Sequence, residues 1–149
     1  MRLFTLGLSA LIVLGCLGLS CGDDDDPSPV TPQPGTITAS ATSIQGQNGK
    51  YFAVGVFDYD WYPGGPNNPL GVIRASIPGD DYSPSLVVEA VDQNGDPTGV
   101  AKTFAAGAYS VVFFVGESGY APESFAEVRA TVDGNITVSA PAWAAWQHP

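Results

Sequence analysis

The chain has 149 residues and a formal net charge of −10, with 15 acidic residues against five Lys and Arg. So acidic a surface repels the phosphates of nucleic acids and anionic lipid headgroups, which excludes both as direct partners. The only histidine, His148, lies next to the chain end, so we expect no Ser-His-Asp triad and no histidine-based metal site.

The chain begins with an apolar leader, residues 1–20. Arg2 is its only charge, and polar chain starts abruptly at Gly22. This arrangement is typical of a secretory signal, and the glycines within it favour cleavage over a retained transmembrane helix. The segment Leu17-Gly18-Leu19-Ser20-Cys21 resembles the cleavage and lipidation site of a bacterial lipoprotein. The resemblance implies a lipid on Cys21 that anchors the protein in the bacterial cell envelope, at the outer membrane or cell surface.

Two cysteines match the lipidation pattern. Val13-Leu14-Gly15-Cys16 also places apolar residues and a small residue before a cysteine. We favour Cys21, because cleavage before Cys16 would leave residues 17–20 as an apolar remnant on the mature chain. Neither cysteine lies in the predicted folded part, so we expect no disulfide and no cysteine-based metal site there.

Residues 21–35 form the predicted tether. They hold the acidic run Asp23-Asp24-Asp25-Asp26 and prolines at positions 27, 29, 32 and 34. Charge repulsion and restricted proline φ angles keep such a segment extended, over roughly 40 Å at about 3 Å per residue. A calcium site is the alternative, but adjacent carboxylates in an extended segment lack the folded geometry of such sites. The run also resembles the acidic sorting signal of some surface lipoproteins.

Residues 36–149 carry the pattern of a single β-domain. Apolar residues alternate at period two between turn signals, and no long segment has the helical period of about 3.6. We predict one all-β domain, an immunoglobulin-like or transthyretin-like antiparallel β-sandwich of about seven to eight strands. Segments 50–58 and 108–116 are apolar on both faces and should be central. The predicted strands are 36–42, 50–58, 71–77, 85–91, 100–105, 108–116, 125–132 and 135–139.

Two dipeptides predict how neighbouring strands connect. Asn94-Gly95 and Asp133-Gly134 favour tight turns, and we expect Asp133-Gly134 to join the last two strands as a hairpin.

Residues 104–111 resemble the aliphatic-x-x-Gly-x-Tyr-x-Val entry of many extracellular β-sandwich modules. As a whole, residues 36–146 are similar to small β-sandwich domains of bacterial lipoproteins, a resemblance that implies no activity. It is carried chiefly by Gly49, Tyr51, Gly107, Tyr109, Gly134 and Trp143.

The loop after residue 57 offers a candidate binding site, Asp58-Tyr59-Asp60-Trp61-Tyr62. A sugar ring would bury one face on an aromatic ring of this loop, while Asp58 and Asp60 accept hydrogen bonds from its hydroxyls. The alternative is that Trp61 and Tyr62 cover one end of the sandwich core. We favour this alternative, because large aromatic side chains near strand ends commonly pack there.

Carboxylates elsewhere suggest further sites. Asp92-Gln93-Asn94-Gly95-Asp96 is similar to the start of a calcium loop but lacks the completing glutamate, so a hairpin turn is favoured. Calcium shared between loops, for instance by Asp58, Asp60 and Asp80, is a second hypothesis. A glycosidase pair would need a carboxylate spacing that no sequence pattern defines, and surface solvation explains these residues more simply.

We therefore predict a non-catalytic, membrane-anchored envelope lipoprotein whose β-sandwich is a structural or protein-interaction module, with no metal or cofactor. Carbohydrate binding or substrate capture through the loop of Tyr59, Trp61 and Tyr62 is the alternative. Exposure of Trp61 discriminates between the two, since stacking on a sugar requires an accessible ring. The segment Trp143-Ala144-Ala145-Trp146 is expected to form a strap over the sandwich.

Overall fold

The computed structural model of the chain describes residues 30–118, 121–142 and 146–148. The leader, both cysteines, the acidic run of the tether and Trp143 lie outside these residues, so what was predicted for them stays a prediction. The described residues form nine strands and no helix. The strands are β1 (Ile37–Ser40), β2 (Tyr51–Phe57), β3 (Gly71–Ser76), β4 (Ser85–Val87), β5 (Glu89–Val91), β6 (Pro97–Ala101), β7 (Gly107–Ser118), β8 (Ala121–Val132) and β9 (Ile136–Ser139).

These strands form two sheets. The small sheet has the order β4-β1-β9, and the large sheet has the order β6-β5-β3-β2-β7-β8. Neighbouring strands pair antiparallel except β1 and β9, which run parallel from Ile37↔Ile136 to Ser40↔Ser139. The predicted all-β sandwich is confirmed. The strand predicted at residues 100–105 is β6, which spans Pro97–Ala101 and lies at one edge of the large sheet.

The sandwich core consists of apolar side chains on the facing sides of the two sheets. Alternate residues of a strand point to one face, which places three residues of β2 in the core, each at most 1% exposed: Phe52, Val54 and Val56. β2 lies between β3 and β7, and Val54 pairs with Phe113 of β7. The central positions predicted for these two strands are confirmed. The small sheet contributes Ile37, Ala39 and Val138.

The segment predicted as one strand over residues 85–91 is divided between the sheets. β4 pairs with β1 in the small sheet, and β5 pairs with β3 and β6 in the large one. Between them, the fully buried Val88 donates its N–H to the Ile37 carbonyl and accepts from the Lys102 N–H, both at 2.9 Å. The prediction of a continuous strand was wrong, because the chain passes from one sheet to the other at Val88. The sequence does not show this change, since the alternation of apolar and polar residues continues through Val88.

The predicted hairpin at Asp133-Gly134 was also wrong. β8 pairs with β7, while β9 lies beside β1 in the other sheet. This turn connects β8 of the large sheet to β9 of the small sheet, and its hydrogen-bonding groups bind the segment before β1. The Gly134 N–H donates to the Gln33 carbonyl at 2.7 Å, and the Gln33 N–H donates to Asp133 Oδ1 at 2.8 Å. We call this junction of residues 33–36 with 133–135 the tether clamp; the Thr36 N–H also donates to Asn135 Oδ1, at 2.9 Å.

Tyr109 enters β7 as the resemblance to extracellular β-sandwich modules implies. Its ring packs T-shaped on Phe104, with centroids 5.4 Å apart, and its hydroxyl donates to the Ala105 carbonyl at 2.9 Å. A buried tyrosine hydroxyl requires a partner of this kind. The bond to a carbonyl a few residues upstream is the tyrosine corner found in many β-sandwiches.

The end of the chain returns to the core. Trp146 is 7% exposed, and its ring centroid lies 6.4 Å from that of Phe113. Its indole N–H donates to the Pro141 carbonyl at 2.9 Å, and Gln147 pairs with Phe125 of β8. Trp146 therefore belongs to the sandwich core, whereas the other residues of the predicted strap, 143–145, lie outside the described residues.

Candidate functional site

The outer face of the large sheet carries a second apolar cluster. Ala53, Gly55 and Phe57 of β2 point to this face, because they alternate with the core residues of the strand. The cluster has three buried members, Phe57, Val112 and Phe125, and three partly buried ones, Tyr59, Trp61 and Phe114. Tyr59 and Trp61 belong to the loop of residues 58–70, which we call the aromatic loop. This loop therefore covers a part of the sheet face that antiparallel sheets commonly leave to solvent.

Trp61 is the centre of the contact between the aromatic loop and the sheet. Its ring centroid lies 5.0 Å from Phe125 and 5.5 Å from Phe114 in T-shaped arrangements, and 6.3 Å from Phe57 in a tilted one. The side chain is half-buried. Edge-to-face pairs of this kind add stabilisation beyond the area that they bury. Trp61 therefore fixes the loop on the sheet while part of its surface stays accessible.

Polar contacts hold the first part of the aromatic loop. The Tyr59 hydroxyl donates to the Pro66 carbonyl at 2.8 Å, which closes the loop on itself. The buried Ser110 hydroxyl lies 2.9 Å from the Tyr59 carbonyl and 3.0 Å from Nη1 of Arg129, whose guanidinium also pairs with Asp60. One serine of β7 and one arginine of β8 thus tie the loop to the sheet.

The five residues of the predicted site do not form one cluster. Tyr59 and Trp61 pack on Phe57, whereas Asp58 is exposed and Tyr62 is 59% exposed. The carboxylate of Asp60 pairs with Arg129. Trp61 was expected at one end of the sandwich core, but it covers the outer face of the large sheet instead. Alternation along β2 decides this, since Phe57 points away from the core.

A groove of about 340 Å³ runs along this outer face beside Trp61. Ala53 and Gly55 of β2 form its floor, and Trp61 and Phe114 line it. A methyl group on Gly55 would lie 2.8 Å from the Phe57 ring, so the ring requires glycine there. The groove exists because small residues of β2 lie next to large aromatic ones. A glycine inside a strand is a sequence signal for such close approach.

Three polar residues line the groove, and sequence reasoning did not connect them with a site: Asn67, Arg74 and Asn94. Arg74 of β3 pairs with Asp96, and its Nη2 lies 3.4 Å from the Gly95 carbonyl. This contact holds the turn between β5 and β6 against β3. Asn94 was predicted only as a turn residue, and Gly95 has the positive φ of 82° that such a turn requires.

The remaining carboxylates of the described chain have structural partners or face solvent. Asp92 Oδ1 accepts from the N–H groups of Asn94 at 2.8 Å and Asp96 at 2.9 Å, and β5 pairs antiparallel with β6, which confirms the predicted hairpin turn. Asp81 pairs with Ser43. Within residues 30–118, 121–142 and 146–148, no three His, Cys, Asp or Glu side chains are grouped as metal ligands.

Comparison with known proteins returns nothing: no family model, no curated protein and no solved structure matches the chain. The part of the chain that the structure describes contains no helix long and apolar enough to cross a membrane.

Proposed function

We propose that this protein is a non-catalytic lipoprotein of the bacterial cell envelope, anchored through Cys21, whose β-sandwich is an interaction module. The leader before Cys21 and the extended polar tether after it support the anchor. The tether clamp supports the role of the tether as a link between the lipid and the domain, because hydrogen bonds attach residues 33–36, just before β1, to the turn at 133–135. Tension on the tether would load these bonds before it reached β1.

The groove on the outer face of the large sheet is the observation that carries the interaction role. Three of its lining residues, Phe57, Trp61 and Phe114, belong to the second apolar cluster, which lies on the opposite side of the sheet from the sandwich core. Binding sites are typically concave and mostly apolar, with a few polar groups that orient the ligand. The groove has this composition, so an envelope protein or glycan that enters it is the partner we propose.

Carbohydrate capture is the second candidate function, and the position of Trp61 favours it. The half-buried indole lines the groove, where it provides an apolar surface for a sugar ring. Asp60 was expected to accept hydrogen bonds from sugar hydroxyls, but it contributes less to sugar binding in this arrangement, because its carboxylate already pairs with Arg129. Capture would depend on the groove residues rather than on the carboxylates of the aromatic loop.

The anchor is tested by replacing each cysteine in turn. Cys21→Ala is expected to remove the protein from the detergent phase or to stop its maturation, whereas Cys16→Ala should leave partitioning unchanged. Mass spectrometry of the mature wild-type chain should find the lipid on Cys21. Unmodified Cys21 in a protein that still partitions into detergent would contradict lipidation at Cys21. If instead Cys16→Ala releases the protein and Cys21→Ala does not, the lipid is on Cys16.

The interaction role is tested by filling the groove. Ala53→Leu adds bulk to its floor, and Ala108→Leu makes the same change at an exposed position of β7 outside the groove. With immobilised protein and host envelope extract or a glycan array as the probe, Ala53→Leu should lose binding that Ala108→Leu retains. Thermal melts establish that both variants are folded. Equal binding by the wild type and both variants would exclude the groove as the interaction surface.

A further inference from the structure

We propose that the groove binds a neutral pyranose ring of a glycan, held by the side-chain amides of Asn67 and Asn94. This inference rests on the carbohydrate candidate of the proposed function, and it names the ligand class and the residues that recognise it. Neither asparagine belongs to the aromatic motif that first suggested sugar binding. Shape, charge and hydrogen-bonding groups each support the assignment.

The shape suits a flat ring with one apolar face. A volume of about 340 Å³ lies at the lower end of the range of small-molecule sites, about 300 to 1,000 Å³. A protein partner ordinarily needs about 800 Å² of contact on its side, so it would have to cover the sheet face around the groove as well, whereas one sugar ring needs the groove alone. The floor of Ala53 and Gly55 admits close approach, and Trp61 and Phe114 present ring carbon to the C–H face of a sugar.

The charges favour a neutral ligand. Of the described residues that line the groove, only Arg74 is charged, and its guanidinium pairs with Asp96. An anionic sugar would have to compete with this carboxylate for Arg74. It would also approach a chain with a formal net charge of −10, whose field repels anions at long range. A neutral sugar meets neither obstacle.

The polar groups match the hydroxyls of a sugar. A hydroxyl both donates and accepts a hydrogen bond, and a side-chain amide does the same through its NH₂ and its carbonyl oxygen. Asn67 is exposed on the aromatic loop, and Asn94 is exposed on the turn between β5 and β6. The Asn94 amide donates one N–H to Asp92 Oδ2 at 3.3 Å, which orients it and leaves its oxygen and second N–H for a ligand.

The chain provides a matched control for Asn94. Asn48 is also exposed, and it precedes Gly49, which has a φ of 83° against 82° for Gly95. It lies in the turn before β2 and does not line the groove. Asn48→Ala and Asn94→Ala therefore make the same change in similar turns, so a difference between them in binding reflects the groove rather than the loss of a turn asparagine.

The experiment titrates the purified mature lipidated protein in detergent with neutral disaccharides, namely cellobiose, maltose, lactose and diacetylchitobiose, and with digalacturonic acid as the anionic probe. At least one neutral disaccharide should bind. Asn67→Ala and Asn94→Ala should each weaken that binding by about three- to tenfold, as expected for the loss of one hydrogen bond. Asn48→Ala should not change it, and thermal melts should show all three variants folded.

Three results would overturn the inference. Binding of digalacturonic acid alone would show that the groove selects anions, and neutral binding that survives both Asn67→Ala and Asn94→Ala would place the sugar elsewhere. If no disaccharide binds while Ala53→Leu still abolishes capture of an envelope protein, the sugar inference fails and the interaction module stands. If Ala53→Leu changes no interaction either, both fail.

Discussion

Truncation of Trp61 tests the arrangement of the aromatic loop on the large sheet. Complete removal of a buried tryptophan or phenylalanine side chain costs about 3–5 kcal/mol. Trp61 is half-buried, but it forms ring pairs with Phe57, Phe114 and Phe125 at centroid distances between 5.0 and 6.3 Å. About half of the full cost therefore applies, so Trp61→Ala should lower the free energy of unfolding by about 1.5–2.5 kcal/mol.

The assay compares Trp61→Ala with Tyr62→Ala, its neighbour in the same loop. Tyr62 is 59% exposed, so its truncation should change stability by less than about 0.5 kcal/mol. Urea melts followed by far-ultraviolet circular dichroism suit the comparison, because tryptophan fluorescence is itself altered by the substitution. At about 4 °C per kcal/mol for a domain of this size, thermal melts of Trp61→Ala should shift by about 6–10 °C.

The reasoning would be refuted by a loss below about 0.5 kcal/mol for Trp61→Ala, which would mean that the loop does not pack on the sheet in solution. A similar loss for both variants would be just as damaging, since it would show that neither exposure nor ring contacts determine the cost. Because Trp61 also lines the groove, Trp61→Ala should weaken glycan binding as well. The binding test therefore uses the two asparagines, whose loss should leave the fold intact.

Two further predictions concern the core and a surface ion pair. Phe113→Ala removes a fully buried side chain between Phe52 and Trp146 and should cost about 3–5 kcal/mol in a denaturant melt; a loss below about 1 kcal/mol would place the centre of the core elsewhere. Lys50 hydrogen bonds to Glu123, which raises the pKa of its ammonium above 10.5 despite partial desolvation. Because this pKa is raised, the ion pair stabilises the fold fully at pH values below the pKa of Lys50 in the unfolded chain. The stabilisation is lost as the pH rises through the pKa of Lys50 in the folded protein. Urea melts of Lys50→Gln should therefore differ from wild type at pH 8 and converge with it only as the pH rises past 10.5 through the folded-state pKa, and a constant difference would contradict the ion pair.

Local patterns in the sequence determined which segments became strands. Period-two alternation and turn residues predicted the positions of β1, β2, β3, β7, β8 and β9 closely. Apolar residues on both faces identified β2 and β7 as interior strands of a sheet. The physical reason is local, because side chains alternate along every strand and a strand covered on both sides must be apolar on both.

Only the tertiary structure decided which strands paired. Asp133-Gly134 signals a reversal of the chain, but its partner is the segment at residues 33–36, about a hundred residues away. Val88 likewise continues the alternation of its segment while it joins two sheets. Pairing depends on hydrogen bonds between distant segments, and a turn signal contains no information about them.

The candidate site shows the same division. The sequence indicated an aromatic loop after residue 57, but it could not tell that the ring of Trp61 would lie on the outer face of the sheet. It also could not bring Asn67 and Asn94 to one groove, because they belong to loops separated in the chain by β3, β4 and β5. The alternation of apolar residues determined that this chain folds as a β-sandwich. The groove depends on the face to which Gly55 and Phe57 point and on the turn that Arg74 holds beside them.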